Sequence, residues 1–116
     1  SAREKADAEA ARLQSMMDNL PINVMMADRE LKLTYMNPTS IKTLKTIEKL
    51  LPIPVDKMIG EKIDIFHKNP SYQRQILADA KNLPKQSNIS VGDETLSLLV
   101  SPIFDRSQNY IGAMAT

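Results

Sequence analysis

The chain has 116 residues and a formal net charge of +1, the size of one domain, with no electrostatic case for a nucleic-acid partner. It contains no cysteine, which excludes disulfides, thiolate catalysis, cysteine-ligated zinc, iron–sulfur clusters and cysteine-bonded flavins. No apolar run approaches the roughly 20 residues of a membrane span, and the charged, alanine-rich start SAREKADAEAARLQ is not a signal peptide.

Residues 2–20 are rich in good helix formers. Ala6, Ala10, Leu13, Met17 and Leu20 make one weakly apolar stripe at helical spacing. That predicts either a helix lying on its own domain or a coiled-coil connector from an upstream module. Pro21 stops it, since a residue before proline disfavours helical geometry.

INVMMADRELKLTYMN then reads as a hairpin turning at Asp28-Arg29-Glu30. Ile22, Val24 and Met26 alternate with other residues in the first strand. Leu31, Leu33 and Tyr35 alternate with Lys32, Thr34 and Met36 in the second. Asn37-Pro38 ends the hairpin and starts a helix, with Asn37 as N-cap and Pro38 at the first helical position. Ile41, Leu44, Ile47, Leu50 and Leu51 form its apolar stripe.

Pro52 and Pro54 break that helix, and VDKMIG predicts a short turn closing at Gly60. IDIFHKN predicts another short helix, ended by Pro70. SYQRQILADAKNL predicts a longer one, capped by Ser71 and ended by Pro84. The remainder reads as three strands. Ile89 and Val91 alternate with serines, Gly92-Asp93 turns, and Leu96, Leu98 and Val100 alternate along the next strand. Arg106 to Asn109 turns again, and YIGAMAT opens a last strand. Two strands, a block of short helices and three more strands imply an α+β domain with an antiparallel sheet.

This order resembles a PAS domain over nearly the whole chain. MMDNLPINVMMADRELKLTYMNPTSIKTL resembles the PAS opening, in which a helix and "LP" lead to a strand, an "AD" turn and a strand ending in "NP". IGAM resembles the start of the last PAS strand. GEKIDIFHKNPSYQRQILADAKNLP is similar to PAS domains of bacterial methyl-accepting chemotaxis receptors, and within them to the haem-binding PAS domains of soluble oxygen-sensing chemoreceptors. The resemblance implies a PAS fold: a five-stranded antiparallel sheet, short helices on one face and an N-terminal flanking helix. It divides the chain into a connector or cap helix, residues 1–20, and a PAS sensor domain, residues 21–116, cut from a longer protein with its last strand truncated.

In that group a histidine in the short helix before the longer one is the iron ligand. His67, the only histidine, occupies the matching position, which implies b-type haem as cofactor and His67 as metal ligand. Ile63 and Phe66 stand beside it, and as helical residues four apart Ile63 and His67 would share a face. Leu96, Leu98 and Val100, with Ile111, Ala113 and Met114, supply the opposing wall, and Ala113 and Ala115 leave room. Lys68 is placed to pair with haem propionates. One departure bears on the gas: related haem sensors carry a tryptophan in the last strand that hydrogen-bonds oxygen, and this chain has none. A competing reading of His67 is a polar residue in the last turn of a short helix, favourable to the helix dipole. The seven methionines read as adaptable core filler.

Nothing reads as catalytic: there is no second histidine, no GxSxG and no glycine-rich phosphate loop among only three glycines. The expectation is a non-enzymatic, cytoplasmic chemoreceptor sensor that binds haem and a diatomic gas such as oxygen. Its partners would be the flanking signalling domains and a second copy in a homodimer, with no nucleic acid and no direct membrane contact. The alternatives are a ligand-free PAS module for dimerisation or relay, and a PAS pocket for a flavin or small organic molecule.

Overall fold

The computed structural model describes all residues from Ser1 to Thr116. Helix α1, Ala2–Asp18, opens on a capping box in which the Ser1 hydroxyl accepts from Glu4 N–H and the Glu4 carboxylate accepts from the Ser1 backbone. No residue along α1 is buried. From Ala6 to Leu13 the stripe is exposed and does not lie against the domain, which corrects the packed expectation for most of the helix. Only its end is held, with Met17 and Asp18 half-buried and hydrogen-bonded by Asn37 and Tyr35. The helix also ends two residues earlier than the stripe suggests, with the Asn19 side-chain amide donating to the Ser15 carbonyl at 2.7 Å.

Strands β1 (Met25–Asp28) and β2 (Leu33–Met36) form the expected hairpin, with Leu31 at φ +64° in the turn. Strict alternation does not survive in β2. Met26 pairs with Tyr35 and Ala27 with Leu33, so Thr34 bulges. One extra residue reverses the side-chain parity. Leu33 and Met36 are both buried as a result, while Tyr35 turns out to hydrogen-bond Asp18 at the end of α1.

Helix α2, Pro38–Lys45, begins as predicted, with Asn37 capping Ser40 N–H and Pro38 in the first turn. It is shorter than the stripe implied, and Glu48–Leu50 and Val55–Lys57 continue as single 3₁₀ turns. Their apolar residues still converge: Leu33, Met36, Leu44, Val55 and Met58 form the main buried cluster. Gly60 sits at φ +92°, a conformation that side-chain-bearing residues rarely adopt.

Two expectations for the next segment are corrected. Ile63–Phe66 is one 3₁₀ turn, after which His67 is extended at φ −123°, ψ 139°. Helix α3 runs only from Pro70 to Leu77, with Asn69 rather than Ser71 at its N-cap position. Asp79 leaves helical geometry to cap Lys81 N–H in a separate turn, Ala80–Asn82, and that divides the predicted long helix.

Strands β3 (Lys85–Val91), β4 (Glu94–Phe104) and β5 (Tyr110–Ala115) follow. All pairings are antiparallel, and the strand order is β2-β1-β5-β4-β3. The last strand thus inserts beside the first, and β2 and β3 become the edges. Gly112 permits that insertion, because a Cβ there would lie 2.4 Å from the Ala27 carbonyl oxygen.

Candidate functional site

Between the sheet and the helical block lies a partly open cavity of about 340 Å³, and twenty of its twenty-six lining residues are hydrophobic. Its origin is visible in the sheet register. Met36, Met25, Ala115, Val100 and Lys85 lie opposite one another across all five strands, and Leu33, Ala27, Ala113 and Pro102 make a second row. The central strand β5 carries alanine in both rows, at Ala113 and Ala115, and β1 carries Ala27 in the second, where the flanking strands carry larger side chains. The middle of the sheet is therefore recessed, and the volume lies within the range that takes small-molecule ligands.

Of the residues expected at the site, Ile63, Phe66, His67, Leu96, Leu98, Val100 and Ala113 line this cavity. Ile111 and Met114 do not. Ile103 pairs with Gly112 and Phe104 with Tyr110, so Ile111 falls in a bulge and is 46% exposed. Met114 lies between the inward alanines 113 and 115 on a strand whose side chains alternate. Lys68 is exposed and outside the lining.

His67 reaches the cavity by a route different from the expected shared helical face. The 3₁₀ turn ends at Phe66, and the extended backbone of His67 is held by its N–H donating to the Asp64 carbonyl at 3.2 Å. Burial pushes the imidazole below the usual 6.5, and the nearby Asp64 carboxylate opposes this only in part. The ring is thus neutral near pH 7, and no group of the chain hydrogen-bonds it. Asp64 is engaged by Arg74 of α3, whose Nε donates to Oδ1 at 3.2 Å and whose second guanidinium nitrogen donates to Oδ2. That hydrogen bond holds the Asp64 carboxyl below its ordinary value.

Three or more His, Asp or Glu side chains able to hold a metal ion together occur nowhere. A bare ion needs about four protein ligands, so His67 alone suits only a metal whose other positions are filled by a macrocycle. A neutral imidazole in an apolar cavity fits a haem on that ground. On the sheet wall the side chains of Leu96, Leu98, Val100 and Ala113 carry no hydrogen-bond donor, and the donors are confined to Lys85, Gln86, Ser87 and Asn88 of β3.

The inward face of β3 (Lys85, Ser87, Ile89 and Val91), together with Gln73 of α3, also lines the cavity and was missed in the sequence; Tyr72 of α3 lines it as well. The period-two alternation of Lys85, Ser87, Ile89 and Val91 was the available signal. Its use depends on knowing that β3 is the edge next to α3. No helix is long and apolar enough to cross a membrane.

A five-stranded antiparallel sheet in this order, with short helices covering a recessed apolar face, defines a PAS-type fold. The family model described as a PAS domain matches residues 11–81, and the chain belongs to that family. It is 36% identical over 118 residues to the methyl-accepting chemotaxis protein McpB of Pseudomonas aeruginosa, a match covering 97% of this chain and 17% of that receptor's length. Among solved structures it is similar to the Aer2 receptor of Vibrio cholerae, described as a dual PAS–haem oxygen sensor. There the TM-score is 0.75 and the identity 36%, over 80% of this chain and 88% of that one. The PAS domain of Bordetella pertussis BvgS shares the fold at a TM-score of 0.62 and 12% identity, over 93% and 83% of the two chains.

Proposed function

We propose that this chain is the sensor domain of a cytoplasmic chemoreceptor, signalling rather than catalytic, and that its cavity holds b-type haem for sensing oxygen or another diatomic gas. One observation carries the reading: the single histidine lies in the wall of the apolar cavity with a neutral, unbonded imidazole. The likeness to a receptor described as a PAS–haem oxygen sensor supports it.

His67 is the proximal ligand, and its neutral ring supplies a lone pair without prior loss of a proton. The Asp64–Arg74 pair fixes the turn that presents it. Ile63 and Phe66 exclude water beside the imidazole, and Leu96, Leu98, Val100 and Ala113 form the opposite wall. The bound haem would supply one open iron position for a diatomic ligand. Helix α1 serves as the connector to a neighbouring signalling domain, since it has no buried face of its own, and a second copy of the chain is a further partner.

The test is the visible absorption spectrum of the purified domain after haem addition, for the wild type and for His67→Ala. The wild type gives an intense haem band that shifts on reduction and again with carbon monoxide. His67→Ala loses the haem on desalting while its circular dichroism is unchanged. A wild type that takes up no haem, or a variant that retains it with the same spectrum, refutes the assignment. A flavin spectrum in the isolated protein would move the reading to redox sensing.

A further inference from the structure

Beside the apolar cavity lies a second, outer cleft of about 250 Å³, lined by Tyr72, Gln75, Ile76, Asn82 and Lys85. Tyr72, Ile76 and Lys85 line both spaces, so these three side chains form the partition between them. Lys85 is the one ammonium or guanidinium group on either wall, and neither wall carries a carboxylate. The Lys85 ammonium stands 5.1 Å from the Tyr72 ring centroid and donates to its hydroxyl at 3.2 Å. The chain's carboxylate–cation pairs are Ser1–Glu4, Glu9–Arg12, Glu30–Lys32, Lys45–Asp56 and Asp64–Arg74, none of which includes Lys85.

We infer that Lys85 is the specificity-determining residue of this site and selects a ligand with an apolar body and an anionic tail. The body fills the inner cavity, and the tail passes the Tyr72–Lys85 partition into the outer cleft. Three features lead there. The cation sits where the apolar lining gives way to the polar groups of Gln75 and Asn82. Its one hydrogen bond goes to a neutral phenol, which an anionic oxygen outcompetes because charge-assisted bonds are about twice as strong. Its position is set by β3, where Lys85 pairs with Val100 at the end of the inward row, so the long stem runs along the cavity rim. For haem the tail is a propionate, and in that form the inference rests on the function proposed above. The anion preference itself does not depend on that reading.

Two probe pairs separate the claims, each compared on wild type, Lys85→Met and Lys85→Arg. The first is haem against its dimethyl ester, followed by absorption. The second is anilinonaphthalene sulfonate against N-phenyl-1-naphthylamine, which share an apolar body and differ in the sulfonate, followed by fluorescence. Wild type is expected to favour the anionic member of each pair. Lys85→Met weakens the anionic member about tenfold, leaves the neutral one unchanged, and Lys85→Arg restores the preference. If haem binds to none of the proteins, the haem reading falls and the naphthalene pair still decides the role of Lys85. If Lys85→Met discriminates within each pair as wild type does, or wild type binds neither naphthalene probe, the inference is overturned.

Discussion

Asn37 is fully buried and uses all four of its hydrogen-bonding positions. Its side-chain oxygen accepts from Ser40 N–H at 2.9 Å and from Val24 N–H at 3.0 Å. Its amide donates to the Ile22 carbonyl at 2.8 Å and the Met17 carbonyl at 3.3 Å. One side chain thus caps α2, closes the entry to β1 and ties down the end of α1. In Asn37→Ala the lost cap costs about 1 kcal/mol. Val24 is only 2% exposed, so its orphaned N–H adds about 2 kcal/mol. The Ile22 and Met17 carbonyls belong to a segment open to water and add little. The expected loss is about 3 kcal/mol, a fall in Tm of about 12 °C for a domain of this size.

Asn37→Asp distinguishes this account from simple loss of packing. It keeps both acceptor bonds but aims a buried carboxylate at two carbonyl oxygens, which raises its folded pKa above the unfolded value of about 3.9. The folded state then holds the proton to higher pH than the unfolded state. Stability is therefore greatest at low pH and declines as pH rises from about 4 through the raised folded value. Urea unfolding followed by circular dichroism between pH 4 and 8 gives both quantities. The Asn37→Ala deficit stays constant with pH while the Asn37→Asp deficit grows. An alanine variant within about 1 kcal/mol of wild type, or an aspartate variant with a flat deficit, would refute the hub.

Two further outcomes are expected. Because burial lowers the His67 pKa below 6.5, the haem-free unfolded chain takes up a proton that the folded chain resists. Stability is then full above about pH 7 and is lost as pH falls through 6.5 towards the lowered value, and His67→Gln removes that component. Parallel urea titrations from pH 5 to 8 test it, and equal pH slopes for both proteins would contradict it. At Gly112 an added Cβ meets the Ala27 oxygen at 2.4 Å, where ordinary contact begins near 3.4 Å, so β1 and β5 must part by about 1 Å. Gly112→Ala is expected to cost about 3 kcal/mol, measured as a fall in Tm, and a variant as stable as wild type would show that the strands separate freely.

Local signals carried much of this fold. Asn37-Pro38 marked a helix start that the structure keeps, because capping depends on residues three apart. Gly92-Asp93 and the alternation of Leu96, Leu98 and Val100 marked the β3–β4 hairpin for the same short-range reason. The composition limited the metal chemistry, since a chain with one histidine and no cysteine leaves His67 as its lone strong nitrogen ligand. Where the reading failed, the cause was non-local. The bulges at Thr34 and Ile111 shift side-chain parity by one residue, and only the partner strand reveals them. The extended backbone at His67 replaces the helical face that spacing implied, yet the ring still enters the cavity. The cavity itself exists because β5 inserts between β1 and β4, bringing Ala27, Ala113 and Ala115 together at the centre of the sheet. The partition at Lys85 and Tyr72 needs the edge strand and α3 side by side. Sequence periodicity determines which face of an element is apolar, but strand order and register decide which faces meet, and the site is made where they meet.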